Sequence, residues 1–196
     1  MKKNLVVEDM QNDFITGPLG TPEAVAIVDK VCEKIRDWHG QVWATYDTHD
    51  RNTYFKTQEG QKLPIIHCDT GSDGWYLPEV INEAINYHPY KRIIKSNFAS
   101  VVLANEVGGL GLNEKDIELT LVGVCTDICV ISNALLLKAH YPEMKIVVDA
   151  SCCAGTTPEK HRMALEVMKS CQIDVVNDIN PKEFLEKHFI IPESEG

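Results

Sequence analysis

The chain of 196 residues carries 19 Lys and Arg against 29 Asp and Glu, a net charge of −10, with 44% hydrophobic and 24% charged residues. That acidic balance argues against a dedicated nucleic-acid binder and against docking on acidic lipid. The length suits one domain, residues 1–196, with a substantial core, and no stretch approaches the ~20 apolar residues of a membrane-spanning helix.

Met1, Lys2 and Lys3 are followed by only a few apolar residues before acidic ones appear, which is not the pattern of a secretory leader. Seven cysteines, an odd number with no paired framework of spacings, fit reduced thiols in the cytosol. Short runs rich in β-branched residues predict strands at 5–7, 41–45, 92–94, 119–122, 146–148 and 173–176. Helical patterns lie between most of them. From 22 to 38, Val25, Val28, Val31, Cys32, Ile35 and Trp38 follow a 3.6-residue period, with Thr21 as cap and Pro22 at the first helical position. A second start precedes residue 160, where Thr156 and Glu159 have capping-box spacing. Met163, Val167 and Cys171 then recur at the spacing of one helical face.

Strand and helix alternation predicts an α/β fold: three layers, α/β/α, with a six-stranded, mainly parallel sheet covered by helices on both faces. Ligands in such sheets sit beyond the carboxyl ends of the strands, near the point where strand order reverses. Chemistry-bearing residues do cluster just after the predicted strands. Asp9 follows the first, Asp47 and His49 the second, Lys95 the third and residues 125–129 the fourth. Asp149 follows the fifth without an evident partner.

If the fourth strand stops near Val124, Cys129 falls in the first turn of the next helix. There the helix dipole and unpaired N–H groups ease ionisation of a thiol and can hold an oxyanion. Asp9 and Lys95 stand at strand ends suited to take its proton and stabilise its charge. The competing reading is a small apolar residue packed in the core, since free cysteines are among the most buried residues. Asp47 and His49 share one loop, and His67 follows eighteen residues later. This oxygen and nitrogen set suits zinc, iron or manganese, although a solvated loop pair has the same spelling.

Taken together, LVVEDMQNDF, YDTH, IIKSNFAS, LVGVCTDICV and VVDASCCAGT occur in order after successive strands. In that order and spacing, which spans nearly the whole chain, the sequence resembles the isochorismatase-like cysteine hydrolases, nicotinamidase (pyrazinamidase) branch. The resemblance implies Asp9 as general base, Lys95 as its partner and Cys129 as nucleophile. It implies a cis peptide bond between Val124 and Cys125, with the N–H groups of Cys125 and Cys129 forming an oxyanion hole. It also implies Asp47, His49 and His67 as ligands of a divalent metal, zinc with iron or manganese as alternatives, which engages the pyridine nitrogen of nicotinamide. Phe14 and Phe98, and after them Leu19 and Trp75, are the expected apolar walls. The implied reaction turns nicotinamide into nicotinate and ammonia through a thioester, in a homo-oligomer.

The chain departs from the branch at three places. A further histidine is frequent between the positions of His49 and His67; none stands here, and Glu59 is the candidate fourth ligand. Phe98 replaces a frequent tyrosine. Glu8 occupies a usually apolar strand position, where it either faces outward or perturbs Asp9 by like charge. Two alternatives stay open. One is a superfamily hydrolase acting on an N-carbamoyl compound, an aliphatic amide or an isochorismate-like vinyl ether. The other is a non-enzymatic binding or redox-responsive protein using its thiols.

Overall fold

The computed structural model describes residues 1–178. All six expected strands form, and all but the last, which is one residue shorter than predicted, reach beyond their predicted cores: β1 (Lys2–Glu8), β2 (Gln41–Asp47), β3 (Tyr90–Lys95), β4 (Ile117–Val124), β5 (Lys145–Ala154) and β6 (Asp174–Val176). They join in one sheet in the order β3-β2-β1-β4-β5-β6, and every neighbouring pair is parallel. The chain winds outward from β1 to β3, then returns to the centre and winds outward again from β4 to β6. Strand order therefore reverses between β1 and β4, and a crevice belongs past their carboxyl ends.

The helices are α1 (Asn12–Ile15), α2 (Pro22–Ala26), α3 (Val28–Arg36), α4 (Gln58–Lys62), α5 (Glu79–Asn86), α6 (Val101–Gly108), α7 (Ile131–His140) and α8 (Pro158–Ser170). Side chains alternate across a strand, so the central strands feed both faces of the sheet. Leu5 and Val7 pack with Val31, Ile35, Ile81 and Ile85 on one face. Val6 packs with Leu103, Leu121, Leu137 and Leu165 on the other. Each fully buried Leu or Ile contributes about 1.5–3 kcal/mol, and the double burial explains why β4 reads as a nearly unbroken apolar run. Among the described residues no helix is long and apolar enough to cross a membrane.

Four local expectations need correction. The helix expected over 22–38 is interrupted at Ile27 and ends at Arg36, with Trp38 just beyond it. Thr21 does cap it, accepting the N–H of Ala24 at 3.0 Å. The cap of α8 is Thr157, which accepts the N–H of Lys160 at 3.1 Å, because the hydroxyl of Thr156 is committed to Asp127. Met163 and Val167 lie on the exposed side of α8, whose buried stripe is Ala164, Leu165 and Met168. Asp149 lies inside β5, since a bulge lets that strand continue to pair with Gly123 and Val124. Its partner is Lys34 on α3, at 2.6 Å.

Candidate active site

The motif at the end of β1 organises the crevice. Asp9 turns sharply at φ +46°, and its carboxylate is completely buried. Its Oδ2 lies 2.6 Å from Lys95 Nζ, brought by the end of β3, two strands away. Lys95 Nζ stands 3.5 Å from Cys129 Sγ and donates to the carbonyl of Asn97 at 3.1 Å. Residues 9, 95 and 129 therefore meet at one buried point, as the sequence suggested.

Burial works against the charge on Lys95, but Asp9, Cys129 and Asp47 outweigh it and hold its pKa well above the ordinary value. Burial raises the Asp9 carboxyl, while Lys95 restrains the rise. The thiol of Cys129 is pushed well above its ordinary value by burial and by the Asp9 charge, against the pull of Lys95. Burial thus opposes the ionisation that a helix N-terminus would ease. Burial, with the charge of Asp127, also pushes Cys125 up to about 12.

β4 ends at Val124, and the peptide bond to Cys125 is cis. A π-helical turn, Thr126–Val130, leads into α7 and carries Cys129. The carbonyl of Cys125 accepts the N–H groups of Ile128 and Val130 at 3.0 and 3.2 Å. Asp127 receives the N–H and the hydroxyl of Thr156 at 2.8 and 2.7 Å, tying the turn after β4 to the one after β5.

Gln11 and Asp13 are functional positions whose roles were not visible in the sequence. Gln11 Oε1 accepts the N–H of Asp47 at 2.8 Å, and its Nε2 donates to the carbonyls of Asp47 and Trp75, both at 2.9 Å. Asp13 accepts the N–H of Cys68, directly after His67, at 2.7 Å. The motif thus clamps both segments that bear the histidine and carboxylate cluster.

That cluster is Asp47, His49, Glu59 and His67, with four ligand atoms within 4.8 Å of one another. Asp47 Oδ2 lies 3.0 Å from His49 Nε2 and 3.3 Å from His67 Nε2. Glu59 Oε1 lies 3.8 and 3.6 Å from the same nitrogens. Four donors bound tetrahedrally at about 2.1 Å would stand about 3.4 Å apart, so the cluster fits a zinc-sized ion. His67 Nδ1 faces the carbonyl of Ile65 at 2.9 Å; as an N–H donor there it leaves the Nε2 lone pair toward the cluster. Burial opposes ionisation of Asp47, but a hydrogen bond from His49 and the charge of Lys95 help to hold its carboxyl well below the usual range.

A cavity of about 550 Å³ opens beside the cluster, lined among others by His49, Glu59, Asn97, Phe98 and Ile128. Phe98 is the expected apolar wall that reaches it. Phe14, Leu19 and Trp75 do not line it. Phe14 backs His67, with ring centroids 5.6 Å apart, and Leu19 packs on the core. The Trp75 indole donates to Thr48 at 2.8 Å and packs on Tyr46.

A parallel sheet with its polar machinery gathered at the carboxyl edge, beside a nitrogen and oxygen cluster, defines an enzyme of the α/β class. Residues 3–178 match the isochorismatase domain model. The chain belongs to the isochorismatase family and is a hydrolase acting on amide bonds. It is 24% identical over 210 residues to the nicotinamidase of Schizosaccharomyces pombe, covering 90% of this chain and 94% of that one. The crystal structure of nicotinamidase/pyrazinamidase PncA from Bacillus subtilis superposes with a TM-score of 0.76 at 27% identity, covering 89% of this chain and 99% of that chain. That of the pyrazinamidase of Pyrococcus horikoshii in complex with zinc superposes at 0.72, also at 27% identity, covering 90% and 99%.

Proposed function

We propose that the chain deamidates a small aromatic amide, nicotinamide foremost, to the carboxylate and ammonia through a thioester on Cys129. The observation that carries this reading is Lys95 Nζ at 2.6 Å from Asp9 and 3.5 Å from Cys129 in a buried crevice. The similarity to nicotinamidases supports the choice of substrate.

In the proposed reaction Asp9 takes the proton of Cys129 as the thiolate attacks the amide carbon. Lys95 stays protonated and holds the Asp9 carboxyl toward the sulfur. The tetrahedral oxyanion is received by the N–H groups of Cys125 and Cys129, donors of a kind worth about 3–4 kcal/mol each. Asp9 returns the proton to the amide nitrogen, the C–N bond breaks and ammonia leaves. Water then attacks the thioester, Asp9 takes its proton, and the C–S bond breaks with the proton restored to sulfur. Asp47, His49, Glu59 and His67 would hold a divalent ion, which when bound supplies a Lewis acid facing the cavity.

Cys129→Ala is expected to lower ammonia release by about 10⁴-fold or more while leaving the circular dichroism spectrum unchanged. Turnover like that of wild type would remove Cys129 as nucleophile. Wild-type enzyme assayed on nicotinamide, pyrazinamide, an N-carbamoyl amino acid and an aliphatic amide should favour the two aromatic amides. Preference for the carbamoyl compound would overturn the substrate assignment.

A further inference from the structure

Glu8 belongs to neither the catalytic trio nor the metal cluster, yet it lies directly beneath Asp9 with no exposed surface. It does not face outward, one of the two placements open from the sequence. Its Oε2 lies 2.8 Å from the hydroxyl of Thr45, and that hydroxyl lies 2.6 Å from Asp9 Oδ1. A threonine hydroxyl has one proton to donate. Two ionised carboxylates cannot both receive it, so one of these two acids carries a proton of its own. Asp9 is paired with Lys95 at 2.6 Å and is the ionised member.

The Asn133 amide alone would favour an ionised Glu8, so the case for a proton there rests on its burial beside Asp9 and on its unpartnered Oε1. Asn133 Oδ1 accepts the N–H of Ser100 at 2.7 Å, so its Nδ2 is the donor facing Glu8 Oε2 at 2.8 Å. Glu8 Oε1 is buried without a hydrogen-bond partner, a tolerable place for the carbonyl oxygen of a neutral acid and a costly one for a carboxylate. The other charged or titratable groups facing Glu8 are Asp9 on its own strand side, Lys95 from β3 and Cys153 from β5. Of these, Lys95 is already committed to Asp9.

We propose that Glu8 is a positioning residue whose neutral form donates to the Thr45 hydroxyl, which in turn donates to Asp9 and fixes the orientation of the general base, and that loss of the Glu8 proton disables this chain. The proposal rests on the role assigned to Asp9 above. When Glu8 ionises, the single Thr45 proton is contested by two carboxylates, and Asp9 loses either its donor or its orientation. Burial, reinforced by the Asp9 charge, raises the Glu8 carboxyl from 4.5 to about 8, which places the change just above neutral pH.

Glu8→Gln cannot ionise; its NH2 in the Oε2 position keeps a donor toward Thr45 but offers no acceptor to Asn133, which contacts the same atom. Wild-type turnover is expected to fall about tenfold between pH 7 and 9. Glu8→Gln, whatever its rate at neutral pH, should lose that basic limb. An unchanged basic limb in the variant overturns the proposal. A second reading needs no turnover. Folding takes up a proton at Glu8 between pH 4.5 and about 8, so stability falls as pH rises through this window, and Glu8→Gln should remove about one proton from the slope. Equal slopes overturn the proposal. A third needs no variant: carbon-13 spectra of glutamate-labelled wild-type protein should show a carboxyl that titrates above pH 7. Completion of all glutamate titration by pH 6 overturns the proposal even if the variant fails to fold. The last two measurements stand apart from catalysis, so failure of the amidohydrolase reading alone would leave them intact.

Discussion

At the scale of single residues, the site is governed by side chains that bind backbone as much as by those that do chemistry. Gln11 holds Asp47 through both its N–H and its carbonyl, so the carboxylate enters the cluster with its main chain already fixed. Gln11→Ala is expected to weaken zinc binding about 10–100-fold, as loss of supporting partners does at metal sites, measured by competition with a chromophoric chelator. The residues that converge were legible because each follows a predicted strand. Gln11, Thr45 and Asn133 were not, because their partners lie 33 or more residues away and no local pattern reports them. Glu59 was nameable only as a candidate; its place became evident when α4 brought it within 3.8 Å of both histidines.

At the scale of elements, the pairing of β1 with β4 leaves no room for error. Gly123 sits at φ +116°, and a Cβ there would come 2.2 Å from the carbonyl oxygen of Glu8. Gly123→Ala should therefore lower stability by about 2–5 kcal/mol in urea unfolding, combining backbone strain with a steric clash. Strand existence was readable from apolar runs, since both faces of the sheet are covered. Helix faces were read less well. Met163 and Val167 repeat at helical spacing yet face solvent, because periodicity names a stripe without saying which stripe meets the sheet. Thr156 and Glu159 mimicked a cap, and only the folded chain shows that Thr156 answers Asp127 instead.

At the scale of the whole molecule, an ion held by the cluster would stabilise the fold by mass action. Zinc at a hundred times its dissociation constant should add about 2.7 kcal/mol to the unfolding free energy, and His67→Ala should abolish that gain. Absence of any shift in wild type would count against the metal assignment. The four cluster residues all lie within 47–67, a stretch pinned at its ends where His49 bonds to Cys68 and Thr70. Asp9, Lys95 and Cys129, by contrast, are gathered from across the sequence. The two halves of the crevice thus have separate origins in the chain: one comes from a single local stretch, held from outside by Gln11 and Asp13, and the other from the entire topology. A change at Glu59 or His67 can therefore alter the ion's ligand set without replacing any of the three residues gathered at the sulfur.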